Sequence, residues 1–397
     1  MRILAIFSDI SYPPREGLHQ QSVLWIKELQ RHIEVDVFVF CRRANNLDLT
    51  RLDEDHITLI EEPMYDRLPS VVRGLICRFP NWVQPRNIRR LLRLISSNKY
   101  EVVYLEGAAA AGLARSRSAD KTIINIVDPP SRRQLKLFRI RRDLFQRLKH
   151  LVAFCLAKIL ETHVRYSSIQ WNAVSRIDAE YLRRKYPGRN VGSISVMVPR
   201  DVVELEASPQ RLLGRVNVVV FADLRQPHMR QAFDQMLANL RQQDISWDKI
   251  EMCVLGRIDF DVSLERSLDG LPTTYLSYVA DYVKLLSSAD LIVLPDTVGT
   301  GIKNRAIQCM ALGRAVLGTS VAMEGINVVN LKDACIVEDF DQLARAFKRL
   351  IEEPQLRSKL GLAAKGVVTR EYHPDHVTRM WLEEFRKVES RRYSFDE

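Results

Sequence analysis

No apolar run in this 397-residue chain is long enough to cross a membrane; the longest, such as Leu151–Leu156, fall far short of the roughly 18–20 residues a spanning helix needs. The opening MRILAIF is followed by neither a longer hydrophobic region nor a small-residue cleavage site, so it is expected to be a first β-strand rather than a secretory signal. Cysteine is sparse and dispersed. The six thiols (Cys41, Cys77, Cys155, Cys253, Cys309, Cys335) form no CxxC pair, which argues against a zinc site or a disulfide framework and suits a reducing cytoplasm. There is no repeat with a 20–50-residue period, the mark of a solenoid, and no low-complexity segment.

The length predicts two to three domains, and the 46% hydrophobic content is ample for large cores. The N-terminal half alternates short apolar runs with helical spacing. Strands are expected at Arg2–Phe7, Val35–Phe40, Val102–Leu105, Thr122–Val127 and Ile194–Val198, with a helix at Leu18–Arg31. Such runs fit a parallel sheet covered on both faces. Val198–Gly214, with Pro199, Pro209 and Gly214, reads as an interdomain linker. The pattern restarts with strands at Val216–Phe221, Met252–Leu255, Leu291–Leu294 and Ala315–Leu317, with a helix at Gln231–Gln242. Helices are expected at Asp341–Glu352, Glu353–Val367 and His376–Lys387.

The densest information lies in Leu291–Gly325, LIVLPDTVGTGIKNRAIQCMALGRAVLGTSVAMEG. A buried-type strand ends at Pro295, a loop carries Gly299 and Gly301, and helical spacing over Ile302–Leu312 stops at Gly313 before a second strand. This is a parallel crossover whose loop falls at the carboxyl end of a strand, where open α/β sheets bind ligands. Lys303 and Arg305 fall in the expected first turn, where the helix dipole disfavours cations. An anion on the amides of Thr300–Lys303 would reverse that penalty. A surface helix that tolerates the mismatch is the other reading.

The run GTGIKNRAIQCMALGRAVLGTSVAMEGI resembles the donor-binding segment of glycosyltransferase family 4, retaining enzymes of the GT-B fold, and in particular a bacterial surface-polysaccharide-type branch. MRILAIFSDISYPPREGLHQQ resembles the family's opening strand and glycine loop, and SYVADYVKLLSSADLIVLP the segment leading into the donor loop. The resemblance implies two Rossmann-like domains facing a central cleft. Residues 1–200 would form the acceptor domain and 201–370 the nucleotide-sugar donor domain, with 371–397 as a last helix crossing back. It implies a sugar transferred from a nucleotide sugar, with retention, with no bound metal and no cofactor beyond the donor substrate. Two glutamates eight positions apart are usual in this family, the second holding the donor ribose; Thr300 and Gln308 stand there. Gln308 keeps a hydrogen-bonding carbonyl but forfeits charge assistance.

The resemblance assigns further positions. Donor contacts fall on Gly17, Arg225, Tyr278, Val279, Gly299, Thr300, Gly301, Ile302, Lys303, Asn304 and Gln308. Gly17 equally fits an ordinary turn, and His19 beside it a solvated loop histidine. Asp128, after a strand and before Pro129 and Pro130, is a candidate to orient an acceptor hydroxyl or act as base, or simply a turn residue. Glu106 is a similar candidate. Arg225 and Arg230 suit diphosphate contacts, whereas Asp223 would repel a diphosphate if it pointed inward. Asp259 and Asp261 read as a solvated turn rather than a metal site.

Net charge is +10, much of it between Ser131 and Lys185. Leu135, Phe138, Leu144, Leu148 and Leu151 share a face ringed by Arg139, Arg142, Arg147 and Lys149. Two readings fit: a peripheral helix on an anionic membrane through 131–160, or a core-packed helix with a basic solvated side. No nucleic-acid recognition module is visible. The expected protein is a glycosyltransferase acting on a glycan or lipid-linked acceptor, cytoplasmic or peripheral at the inner membrane face. The competing class is a catalytically impaired GT-B protein serving as a partner or scaffold; an epimerase on the same fold would need cleft carboxylates and histidines that do not assemble.

Overall fold

Short runs of β-branched and aliphatic residues form parallel strands buried on both faces. The computed structural model describes residues 1–7, 10, 17–41, 57–61, 85–97, 99–107, 113–114, 118–140, 143–162, 168–206, 214–258, 268–277, 279 and 281–393. The chain divides into two units, Met1–Met197 with Pro374–Glu397, and Val198–His373.

In the first unit the described strands are β1 (Arg2–Phe7), β2 (Glu34–Cys41), β3 (Ile57–Glu61), β4 (Val102–Glu106), β5 (Thr122–Ile126), β6 (Gln170–Ala173) and β7 (Asn190–Ser193). They form one sheet in the order β3-β2-β1-β4-β5-β6-β7, each pair parallel. This is the doubly wound Rossmann order with one further strand. Every residue of β4 and β5 is buried, as helices on both faces demand. Helix Gly17–Gln30 covers one face with Val23, Trp25, Ile26 and Leu29, and helix Pro374–Tyr393 adds Val377, Trp381, Phe385 and Val388 to the same cluster. Trp25 stacks on Tyr104 at 4.1 Å between ring centroids, and Trp381 meets Tyr104 edge-on at 5.4 Å. Each such side chain contributes about 1.5–3 kcal/mol of gross burial energy, so the last helix is tied firmly to this unit.

Two expectations are corrected here. Ile194–Val198 is not a strand; the edge strand is Asn190–Ser193. The backbone of Ile194–Val198 is satisfied otherwise: Ile194 N donates to Asn172 Oδ1 at 2.7 Å, and Gln21 clasps Met197 through both its amide atoms. The basic segment is two helices, Pro130–Ile140 and Leu144–Thr162. Asp143 starts the second by accepting from Gln146 N at 2.7 Å, the bond a capping carboxylate makes.

In the second unit β8 (Val216–Phe221), β9 (Ile250–Leu255), β10 (Thr273–Leu276), β11 (Leu291–Leu294), β12 (Ala315–Thr319) and β13 (Cys335–Val337) pair in the order β10-β9-β8-β11-β12-β13, all parallel. The Rossmann order is repeated. Helix Asn304–Ala311 joins β11 to β12 and ends as expected: Gly313 takes φ +69°, the left-handed conformation that closes a helix. No helix among the described residues is long and apolar enough to cross a membrane.

Candidate active site

Strands β8 and β11 lie side by side, with Val220 opposite Val293. From β8 the chain continues to one side of the sheet and from β11 to the other, so this is the topological switch point where such sheets bind ligands. The loops after β8 (residues 222–226) and after β11 (295–303) therefore emerge together at the carboxyl edge. Gly256, after β9, closes up beneath the first of them: it has φ +150°, and a Cβ there would overlap the Ala222 carbonyl. Glycine is thus required for the two turns to nest.

The loop after β11 bends at Gly299 (φ +147°) and Gly301 (φ +71°) into helix Asn304–Ala311. Lys303 occupies the N-cap position, and its side chain does not cap the helix amides. Instead its ammonium folds over the loop, donating to Thr300 O at 2.8 Å and Gly301 O at 3.0 Å. A cation is thereby held on the glycine turn at a helix N-terminus, where dipole and amides already favour an anion. Gly299, Thr300, Gly301, Ile302, Lys303 and Asn304 thus share one turn, with Gln308 one helical turn further on.

Arg305 behaves differently from expectation. It lies in the first helical turn, but its guanidinium is bonded to the buried Asp296 and sits over the Phe221 ring at 5.6 Å. Asp296 also offers its backbone carbonyl to the Thr319 hydroxyl. The cation that breaks the dipole preference is thus neutralised by a carboxylate, Asp296, that no motif or spacing singles out. The pair braces the ends of β8, β11 and β12.

Gln308 is only 4% exposed and accepts from the Tyr282 hydroxyl at 3.2 Å. Tyr282 opens helix Tyr282–Ser287, capped by Asp281, which accepts from Lys284 N at 3.0 Å. Sequence reasoning missed this partner; its only signal was a position just beyond the stretch assigned to the nucleotide base. Val279 is half-buried. Tyr278 lies outside the described residues, as do Asp259 and Asp261.

On the β8 side, Asp223 is turned onto two guanidiniums, Arg225 at 3.6 Å and Arg257 at 3.4 Å. The anion feared as a repeller is therefore compensated, and it gathers basic side chains at the edge. Arg230 lies on helix Pro227–Leu240 and pairs with Asp234 at 3.1 Å, a part-buried i,i+4 bridge along the helix.

The remaining candidates belong to the first unit. Gly17 begins helix Gly17–Gln30, and His19 is buried on it rather than solvated. Asp128 follows β5 and lies 4.0 Å from Arg133. Glu106 ends β4 and is buried: Tyr104 donates to it, Asn125 Nδ2 donates to it at 3.1 Å, and Asn172 Nδ2 donates to Asn125 Oδ1 at 2.8 Å. Burial pushes the Glu106 carboxyl up from the ordinary carboxylate value, against the two donors. Its place is inside a buried network rather than at an open strand end.

Residues 215–353 match the family described as glycosyl transferases group 1. No curated protein matches the chain in sequence. Solved structures match it over nearly its whole length. Sucrose-phosphate synthase from Thermosynechococcus elongatus is 13% identical with a TM-score of 0.68, covering 98% of this chain and 99% of its own. HepE of Anabaena, solved in complex with UDP, is 15% identical with a TM-score of 0.67, covering 98% and 100%. WaaG, a glycosyltransferase involved in lipopolysaccharide biosynthesis, is 12% identical with a TM-score of 0.64, covering 95% and 99%. The two doubly wound sheets and these likenesses define the fold as GT-B. With a glycosyl transferases group 1 domain at residues 215–353, the protein is a glycosyltransferase.

Proposed function

We propose that the protein transfers a sugar from a nucleotide-sugar donor to a glycan or lipid-linked acceptor, with retention and without bound metal, in surface polysaccharide or glycoconjugate synthesis. One observation carries the donor assignment. At the switch point of the second unit, a glycine turn leads into a helix N-terminus and carries the Lys303 ammonium on its own carbonyls. A diphosphate on the amides of Gly299–Asn304 would take that ammonium from the Thr300 and Gly301 carbonyls. Arg225, from the neighbouring loop, adds a second cation. In the transfer, the bond from the anomeric carbon to the phosphate oxygen breaks, the acceptor oxygen bonds to that carbon, and the acceptor proton passes to the departing phosphate. Stabilising charge on the leaving group is the main task, and amides, Lys303 and Arg225 suit it. Gln308 would hold the ribose, Val279 and Tyr278 would border the base, and Gly17 and Asp128 would serve the acceptor side. That HepE was solved with UDP and with UDP-glucose favours a uridine donor as the first to try.

Membrane contact is part of this proposal. On helix Leu144–Thr162, Leu144 is 80% exposed, Phe145 72% and Leu148 57%, among Arg147, Lys149 and Arg139. An apolar strip this open, flanked by cations, complements an anionic bilayer and favours that occupant over packing against the unit's own sheet. The protein would then work as a peripheral protein at the inner, cytoplasmic membrane face, where a lipid-linked acceptor is presented.

A second reading keeps a specific observation: Gln308 is neutral, buried and already engaged by Tyr282, which suits a GT-B scaffold that has lost turnover. A panel of nucleoside diphosphates and nucleotide sugars in thermal unfolding, followed by anomer-resolved NMR of any sugar released or transferred, separates the two. Stabilisation by one nucleotide class with a retained anomer supports the enzyme. No stabilisation by any donor, and no product, supports the scaffold.

A further inference from the structure

The second unit carries another cavity, at the opposite edge of its sheet from the donor turn. It encloses about 330 Å³ beside Val216, which begins β8, and Lys249, which immediately precedes β9. Its polar lining comes from Ser246, Lys249, Lys348, Glu352 and Arg357. Three cations face one carboxylate, and that carboxylate stands 3.8 Å from Lys348 on the same helix.

Arg357 explains why the cavity is built rather than incidental. It is 2% exposed, and its Nη1 closes the end of helix Phe340–Glu352 by donating to Leu350 O at 2.5 Å and Ile351 O at 2.9 Å. Its Nε–H, equally buried, has no hydrogen-bond acceptor among the described residues, and a buried guanidinium donor left unmatched is costly. Pro354, on the cavity wall, opens the 18-residue helix Pro354–Glu371, which has no side-chain cap. The positive end of that dipole therefore adds to the three cations. The remaining wall, Val216, Ile245 and Ile351, is apolar. A volume of this size, more polar than apolar in its lining, falls within the range of small-molecule sites and suits a charged ligand.

We propose that this cavity binds a small phosphorylated molecule, its phosphate on Lys249, Lys348 and Arg357 and its body against Ile245 and Ile351, as a second site distinct from the donor turn. Phosphate rather than carboxylate is favoured by the number of cations and by the fixed fork of the guanidinium, which suits a multiply acceptor anion.

The test is a calorimetric titration of inorganic phosphate, and then of glucose 6-phosphate, into the full chain, the Lys249→Ala/Lys348→Ala double variant and Lys303→Ala. Lys249 is exposed and Lys348 half-buried, and unfolding temperatures confirm that each variant is folded; Lys249→Glu serves if the double variant is not. The expected result is phosphate binding that weakens at least tenfold in the double variant, or in Lys249→Glu, and is unchanged in Lys303→Ala, with glucose 6-phosphate binding more tightly than phosphate. Three results overturn the proposal: no phosphate binding by the full chain, binding unchanged in the cavity variants, or binding lost in Lys303→Ala alone. Because the donor turn has its own variant, failure here leaves the donor assignment standing.

Discussion

Replacing Gln308 by glutamate probes whether the donor turn is in use. In the native chain the Tyr282 hydroxyl donates to a neutral amide oxygen at 3.2 Å, inside a site 4% exposed. A neutral hydrogen bond contributes about 1 kcal/mol net, and one to a charged group about 1.5–3. A carboxylate at this position therefore gains about 1–2 kcal/mol on ribose hydroxyls, roughly 5- to 30-fold in affinity. The cost falls on the ligand-free protein. A buried carboxylate has its ionised form disfavoured, so the folded pKa rises above the unfolded one. Stability of Gln308→Glu should then match wild type at low pH and fall as pH rises through the carboxyl's ionisation, and bound nucleotide should restore it. Calorimetry of the preferred nucleoside diphosphate at neutral pH, with unfolding temperature against pH, measures both. Equal or weaker nucleotide affinity in a folded Gln308→Glu protein would refute the reasoning and shift weight to the scaffold reading.

Gly256→Ala should destabilise the second unit by about 3 kcal/mol, the top of the range for backbone strain, because the residue is held at φ +150° against the Ala222 carbonyl; thermal unfolding reads this, and an unchanged midpoint would count against the nested turns. Glu106 sets a pH limit on the first unit. Its folded pKa is raised by burial, so its contribution is complete below the unfolded value near 4.5 and is lost as pH rises through the folded one. Glu106→Gln should flatten that decline in pH-dependent unfolding, and an identical pH profile would contradict the burial argument. Changing Leu144, Phe145 and Leu148 together to serine should abolish flotation with phosphatidylglycerol-rich vesicles, which in the native chain should weaken as salt rises. Salt-insensitive binding, or binding retained by the triple variant, argues against membrane docking.

Much of the fold was legible because parallel strands covered on both faces announce themselves as apolar runs; β1, β4, β5, β8 and β11 are of this kind. Strands that pair through buried polar residues do not. Gln170–Ala173 carries Gln170 and Asn172, whose amides serve the sheet and the segment after β7, and no periodicity marks it. Asn190–Ser193 and Thr273–Leu276 are edge strands with mixed exposure, and Cys335–Val337 is three residues long. Ile57–Glu61 has apolar residues, but the run is short and ends on a charge, so by itself it does not announce a strand. At the site, the glycine turn and Gly313 were readable because spacing alone specifies them. The Asp296–Arg305 pair and the Tyr282–Gln308 bond were not, since both join residues from separate elements whose meeting is set by the order of strands. Nor did composition indicate that His19 would be buried, because a helix begins at Gly17 and turns it inward.

The central claim is that a nucleoside diphosphate docks on the turn Gly299–Asn304 with Lys303 as its cation. Isothermal titration of UDP, GDP and ADP into the native chain and into Lys303→Ala tests it most directly. The expected result is saturable binding of one of them that weakens by about 1–3 kcal/mol, roughly 5- to 160-fold, when the ammonium is removed. Affinity unchanged in a folded Lys303→Ala protein would contradict the claim.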